Sequence, residues 1–224
     1  MLVIFDCDGV LVDSEILALR LMAERLTEAG FPIEVEDMLG RFAGFTDEQT
    51  IHILEEEFGR GIPDSFLADY SAELDKRLPN VQIIPGAQEV LDLIDAPRCV
   101  CSNSETHRLK ITLGATGLWD RFRPYIFSAR EVGEKRPKPA PDVYLHAAKE
   151  MGVAPADTIV IEDSVAGVAG AVKAGMRVIG FVGASHQQPG ASEALTDAGA
   201  ETVVRRLVDA AAVVEAFKGW RDPG

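Results

Sequence analysis

The chain has 224 residues, 47% hydrophobic and 26% charged. That suits one large soluble domain, or a core domain with a smaller companion. The formal net charge is −14, with 36 acidic residues against 22 basic ones, a field that argues against nucleic acid or an anionic membrane as partner, since both need positive surface. A small anionic substrate needs only a local positive pocket and stays compatible.

The first apolar run, Leu2–Phe5, reads as a buried strand. It passes directly into Asp6-Cys7-Asp8-Gly9. Two carboxylates so close together at the end of a buried strand repel each other and resist desolvation, so something must neutralise them. No basic segment leads into an apolar stretch with a small-residue cleavage site, so no secretory signal is expected. No run approaches membrane-spanning length. The three cysteines, Cys7, Cys99 and Cys101, lack paired metal-site spacing and are expected to be reduced, buried in or beside strands, in a cytoplasmic protein.

Residues 14–79 contain no convincing buried strand. Helical patterns run over 14–30, 46–59 and 64–78, with stops at Gly30-Phe31-Pro32, Gly59 to Pro63 and Pro79. This stretch is too long for one crossover helix. It is expected to form a second, all-helical domain (14–79) inserted into a core made of 1–13 and 80–224. Beyond it, β-rich runs at Arg98–Ser102, Tyr125–Ser128, Thr158–Ile161, Val178–Val182 and Glu201–Val204 alternate with amphipathic segments. Such alternation predicts an α/β fold: a Rossmann-like parallel sheet with helices on both faces. Ser164 is expected to cap a helix ending near Gly175, and Ser102 or Ser104 to cap the helix after the second strand.

Ligands of open α/β sheets bind beyond the carboxyl ends of the strands. Those ends carry Asp6 and Asp8 after the first strand, Ser102-Asn103-Ser104 after the second, a loop with Lys135, Arg136 and Lys138 after the third, and Glu162-Asp163-Ser164 after the fourth. Carboxylates on one rim suit a hard cation such as magnesium, which sits on one or two carboxylates plus substrate phosphate oxygens. A hydroxyl, an amide and an ammonium suit phosphate. One carboxylate can attack phosphorus while a second handles the proton.

These motifs, in this order, resemble those of the haloacid dehalogenase-like hydrolases, in particular the phosphatase and β-phosphoglucomutase-like branch with a helical cap. "DCDGV" matches the first motif, Ser102 in "CSNS" the second, Lys138 in "KPAPD" the third and "IEDSVAG" the fourth; the helical insert stands where the family carries its cap. The resemblance implies Asp6 as nucleophile and magnesium ligand, and Asp8 as general acid/base with its backbone carbonyl on the metal. It implies Ser102 and Asn103 on the phosphoryl group, helped by Gly9, which frees the backbone to turn. Lys138, chosen over Lys135 by the KPxPD frame, would neutralise charge between Asp6 and the phosphoryl oxygens. Asp163 would bind metal, and Glu162 would do so directly or through water. The implied cofactor is Mg2+, and the implied partner is a small phosphorylated metabolite, with the chain a monomer or small homo-oligomer.

Specificity is expected from the cap, in "GRFAGFTDEQT", with Arg20, Arg41 and Arg123 as candidates for a second anionic group. The mutases of the branch carry a cap histidine and a Lys/Arg pair where this chain has Ala18, Ala43 and Asp47, which favours transfer to water. The expected function is hydrolysis of a sugar phosphate or phosphosugar acid through an aspartyl-phosphate. Mutase-like transfer, and a phosphate-binding module without turnover, remain as alternatives. His107 is expected at the surface and His52 in a structural role. Gly167 and Gly170 are expected to allow close helix–sheet packing, and "SHQQPG" at 185–190 is expected to be a loop near the site, its function unassigned.

Overall fold

The structure, a computed structural model, describes residues 1–42 and 45–219. Six strands form one parallel sheet: β1 (Leu2–Phe5), β2 (Arg98–Ser102), β3 (Ile126–Ser128), β4 (Thr158–Glu162), β5 (Arg177–Phe181) and β6 (Thr202–Val204). Their order is β3-β2-β1-β4-β5-β6. Helices follow the chain as α1 (Ser14–Glu28), α2 (Val35–Phe42), α3 (Asp47–Phe58), α4 (Phe66–Arg77), α5 (Ala87–Leu93), α6 (Thr106–Ala115), α7 (Trp119–Phe122), α8 (Asp142–Glu150), α9 (Val165–Lys173), α10 (Ala191–Asp197) and α11 (Ala210–Gly219). Among the described residues no helix is long and apolar enough to cross a membrane.

The strands are apolar on both faces because both are covered. Val3, Phe5, Val100, Ile159, Ile161 and Ile179 point into one buried cluster with α5, α6 and α11. Their neighbours Leu2, Ile4, Cys99, Cys101, Val160 and Val178 point into a second with α8, α9 and α10. This two-residue alternation, apolar on either side, is the signature of a central parallel sheet. The three cysteines are buried and free.

The chain runs outward from β1 to β2 and β3 on one side, and returns to β4, β5 and β6 on the other. The crevice at this reversal, beyond the carboxyl ends of β1 and β4, is where an open α/β sheet binds ligands.

Between β1 and β2, helices α1 to α4 gather a third cluster of their own, including Leu21, Leu26, Phe31, Met38, Leu54, Tyr70 and Leu74. The chain leaves and re-enters the sheet region side by side: the Asp13 amide donates to Gln82 O (2.8 Å) and the Ile84 amide to Leu11 O (3.0 Å). The helix α2 was not among the expected segments; its apolar Val35, Met38, Leu39 and Phe42 recur at helical spacing over only two turns. Thr46 and Gln49 form a reciprocal capping box that starts α3.

Ser164 caps α9 as expected, accepting from the Gly167 amide at 3.0 Å. The expectation for Ser102 or Ser104 fails. α6 begins after Glu105 without a side-chain cap, because both serine hydroxyls are committed elsewhere.

Candidate active site

Asp6 follows β1, Ser102 closes β2, and Glu162 closes β4 with Asp163 just beyond, so parallel pairing brings all four to one end of the sheet. Each of Asp6, Glu162 and Asp163 offers a carboxylate oxygen, and these atoms lie within 4.8 Å of one another. All three residues are buried.

Lys138 sits among them. Its ammonium donates to Asp6 Oδ1 at 2.5 Å, to Glu162 Oε1 at 2.6 Å and to the Cys101 carbonyl at 2.8 Å. The lysine arrives from the loop before α8, tethered where its amide donates to Asn103 Oδ1 at 2.8 Å. Asn103 therefore holds the lysine loop with its carbonyl oxygen. Lys135, the competing lysine, is exposed.

Burial pushes the Asp6 carboxyl well above its usual range; Lys138 pulls it down, and Glu162, Asp163 and Asp8 push it back up. Burial alone would discharge Lys138, but Asp6 and Glu162 more than reverse that and keep it an ammonium. Three buried carboxylates thus face one ammonium, and burial raises both Asp6 and Asp163, so the cluster favours added positive charge, from a proton or a cation. A divalent cation would supply it, and the all-oxygen donor set suits magnesium.

Glu162 is already heavily engaged. Oε1 accepts from Lys138 and from Tyr144 OH (3.0 Å), and Oε2 from the amides of Asp163 (2.9 Å) and Ser164 (3.0 Å) and from Ser164 Oγ (3.0 Å). Five donors exceed the roughly four lone-pair sites of a carboxylate. It acts here as the knot joining Lys138, Tyr144 and the start of α9.

Gly167 makes room for that knot: a Cβ there would fall 1.8 Å from Glu162 Oε1. Glu162 is the last residue of β4, so Gly167 lets α9 approach the sheet as expected, whereas Gly170 packs on Tyr144 of α8 and on the Ala140 carbonyl before it. Alanine favours helix interiors over glycine by about 1 kcal/mol, yet Gly167→Ala is expected to lower the melting temperature. Gly114→Ala in α6, where a Cβ meets nothing within 4 Å, is expected to hold or raise it. Differential scanning calorimetry of the two variants checks the contrast.

Asp8 is handled differently. Its Oδ1 accepts from Ser14 Oγ at 2.6 Å, and Oδ2 from Ser102 Oγ at 3.0 Å and Ser104 Oγ at 2.8 Å. This is where the two serines expected to cap α6 spend their hydroxyls. Gly9 turns the chain with φ +83°, and a Cβ there would lie 2.0 Å from Asp163 Oδ2. Only glycine combines that backbone with that approach.

A cavity of about 650 Å³ opens over these groups, walled on its far side by α1 to α4. Glu15, Ala18, Phe42, Phe45, Asp47 and Tyr70 are among its lining residues. Ala18 and Asp47, two departures from the mutase pattern, therefore face the same space as Asp6; Ala43, the third, and Gly44 lie outside the described residues. Burial lifts the Glu15 carboxyl to about 7, against the pull of His186.

None of Arg20, Arg41 and Arg123 is among the described lining residues. Arg41 pairs with Glu57 (2.5 Å) and Arg123 with Asp120 (2.7 Å), while Arg20 is exposed on α1. Among the described residues, the arginines that line the cavity are Arg108 and Arg130. Arg108 also ties α6 to α4, through Asp75 Oδ1 (2.7 Å) and Ser71 Oγ (2.7 Å). His52 is a surface residue beside Glu56 rather than a structural one; His107 is exposed as expected, near Asp75 and Glu105.

Ser14 and Tyr144 belong to the site without having been singled out for it from the sequence, Ser104 was placed on the rim without a role toward Asp8, and His186 and Gln187 lie in the 185–190 loop expected near it. Ser14 and Ser104 stand beside recognised motifs, and that adjacency was the available signal. Tyr144 is joined to the site only through folding.

A family model for haloacid dehalogenase-like hydrolases matches residues 3–181. The chain belongs to that family. The hydrolase is 33% identical over 189 residues to a 6-phosphogluconate phosphatase of Escherichia coli (strain K12), covering 84% of this chain and 85% of that one. It is 28% identical over 212 residues to a phosphorylated carbohydrates phosphatase of Thermotoga maritima, covering 91% and 93%. Among solved structures, a haloacid dehalogenase-like protein of Agrobacterium tumefaciens str. C58 superposes on the hydrolase with a TM-score of 0.91 at 50% identity, covering 97% and 98% of the two chains. A family hydrolase of Deinococcus radiodurans R1, holding phosphate and sodium, does so with 0.82 at 32% identity, covering 96% and 95%.

Proposed function

We propose that this hydrolase is a magnesium-dependent phosphatase of a small phosphorylated metabolite, a sugar phosphate or phosphosugar acid, working through an aspartyl-phosphate. The observation that carries the reading is the buried cluster of Asp6, Glu162 and Asp163 around Lys138, beside an Asp8 held by three hydroxyls. The relatives named as 6-phosphogluconate and phosphorylated carbohydrate phosphatases support the substrate class.

In this reading Asp6 and Asp163, with the Asp8 backbone carbonyl, would hold the cation, and Glu162, whose oxygens are already engaged, would add negative charge beside it and hold Lys138 in place. The bound cation supplies charge neutralisation between nucleophile and phosphoryl oxygens. The Asp6 carboxylate attacks phosphorus; the bond from phosphorus to the leaving oxygen breaks, and Asp8 gives that oxygen its proton. Asp8 then takes a proton from water, whose oxygen attacks the aspartyl-phosphate and releases inorganic phosphate and free Asp6. Lys138 and the Ser102 hydroxyl stabilise the charge that gathers on the phosphoryl oxygens. Ser102 Oγ points at Asp8 in this structure, and a hydroxyl rotor can turn to a new acceptor.

Residues 14–79 act as the cap over this chemistry. Their separate apolar cluster and the paired crossing segments at Asp13 and Gln82 support treating them as a domain of their own. The free, buried cysteines support a reducing, cytoplasmic setting.

The test is phosphate release across a panel of sugar phosphates and phosphosugar acids, 6-phosphogluconate included, with Mg2+ and with chelator. Release with Mg2+ that stops in chelator is the expected result. Release that persists in chelator, or interconversion of sugar phosphates without free phosphate, overturns the reading.

A further inference from the structure

We propose that His186 and Gln187, on the loop after β5, form a clamp that fixes the Asp163 carboxylate for cation binding. The proposal rests on the reading of Asp163 as a ligand. Gln187 Nε2 donates to the Asp163 carbonyl at 3.0 Å and to Asp163 Oδ2 at 3.3 Å, and His186 Nε2 lies 3.3 Å from that same Oδ2. Two side chains converge on one carboxylate oxygen. The other, Oδ1, accepts no hydrogen bond among the described residues and is the oxygen left to a cation.

His186 is 7% exposed, and its Nδ1 is buried without a hydrogen-bond partner among the described residues. Burying an imidazole with one nitrogen unsatisfied is unfavourable, so the ring is held there for what Nε2 does. With Nε2 protonated it donates to Asp163, as Gln187 does from beside it.

The loop is placed for this by the sheet. Glu162 pairs with Gly180, so the end of β5 lies beside the end of β4. The Ser185 amide donates to Asp13 Oδ1 at 3.3 Å, and Gln188 Nε2 to the His186 carbonyl at 3.2 Å. Gly9 leaves space for both partners, since a Cβ there would come within 2.9 Å of His186 Cε1 as well as striking Asp163. Partners that hydrogen-bond a ligand orient it, and their loss typically weakens metal affinity by about 10- to 100-fold.

The measurement is Mn2+ binding to the whole chain, read from free Mn2+ by electron paramagnetic resonance without substrate. Melting in chelator monitors the fold. Gln187→Met, which keeps the shape and removes the donor, and His186→Leu are each expected to raise the Mn2+ dissociation constant about 10-fold or more. His186→Gln, which restores a donor, is expected to recover part of the loss. The Mg2+ concentration giving half-maximal phosphate release should rise in parallel.

Asp163→Asn is the control for the underlying reading. If it loses Mn2+ while Gln187→Met and His186→Leu bind like the wild type, the clamp is overturned and the ligand stands. If Asp163→Asn itself binds like the wild type, the ligand reading falls and the clamp with it. Should His186→Leu fail to fold, Gln187→Met alone decides.

Discussion

Asp6→Asn is expected to stop phosphate release while leaving the fold intact. The substitution keeps shape and removes the attacking oxygen, and loss of a nucleophile lowers kcat by at least about 10⁴-fold. Stability should move the other way. Burial raises the Asp6 carboxyl above its ordinary value of 3.8 in spite of Lys138, so the folded state favours the protonated form. That contribution is complete below the unfolded pKa and is lost as pH rises through the folded one. In chelator an amide, which carries no charge, avoids the cost that burial puts on the charged carboxylate. The variant should therefore melt at the same temperature or higher in chelator, and lose the stabilisation that Mg2+ gives the wild type. Activity assays and melting curves with and without Mg2+ check both halves. Equal phosphate release from variant and wild type removes Asp6 from the chemistry.

Lys138→Met is expected to damage both function and fold. Lys138 is 6% exposed and bridges Asp6 and Glu162. Removing one partner of a buried ion pair leaves an uncompensated charge and costs about 3–5 kcal/mol, which for a chain of this size lowers the melting temperature by roughly 10 °C. The wild-type lysine is raised above its unfolded value of 10.5, so its contribution is fully present at neutral pH. In the variant, the two carboxylates can relieve themselves by taking up protons. The deficit should therefore shrink at acid pH and grow toward pH 8. Phosphate release should fall by on the order of 10³-fold, as when a charge-stabilising donor is removed. Lys135→Met, at an exposed position, should leave stability within about 0.5 kcal/mol. Urea titrations of both variants at acid and slightly alkaline pH separate the lysine that bridges carboxylates from the one that does not.

The strands and the rim were legible because their signals are local. An apolar run of four or five residues ending in polar ones marks a buried parallel strand and its carboxyl end at once, as at "LVIFDCD" and "TIVIED". Lys138 was legible through its frame of prolines and an aspartate. α2 was missed because two amphipathic turns give too short a pattern. The arginines were misassigned because exposure on one helix says nothing of which face meets a cavity: Arg41 turned to Glu57, while Arg108 reached both the cavity and Asp75.

The α/β alternation, the acidic rim with its lysine, and the helical segment after the first strand can all be read along the chain, since each depends on sequence neighbours. How the rim is shared out emerges only when the strands pair. Asp8 went to three serine hydroxyls, Glu162 was saturated by Lys138, Tyr144 and the start of α9, and Asp163 was left with one oxygen engaged by the loop after β5. Those partners lie as far as 132 residues apart in the chain, as Lys138 and Asp6 do. A hydrogen bond at 2.5–3.3 Å depends on geometry that strand pairing creates, and no local pattern encodes it.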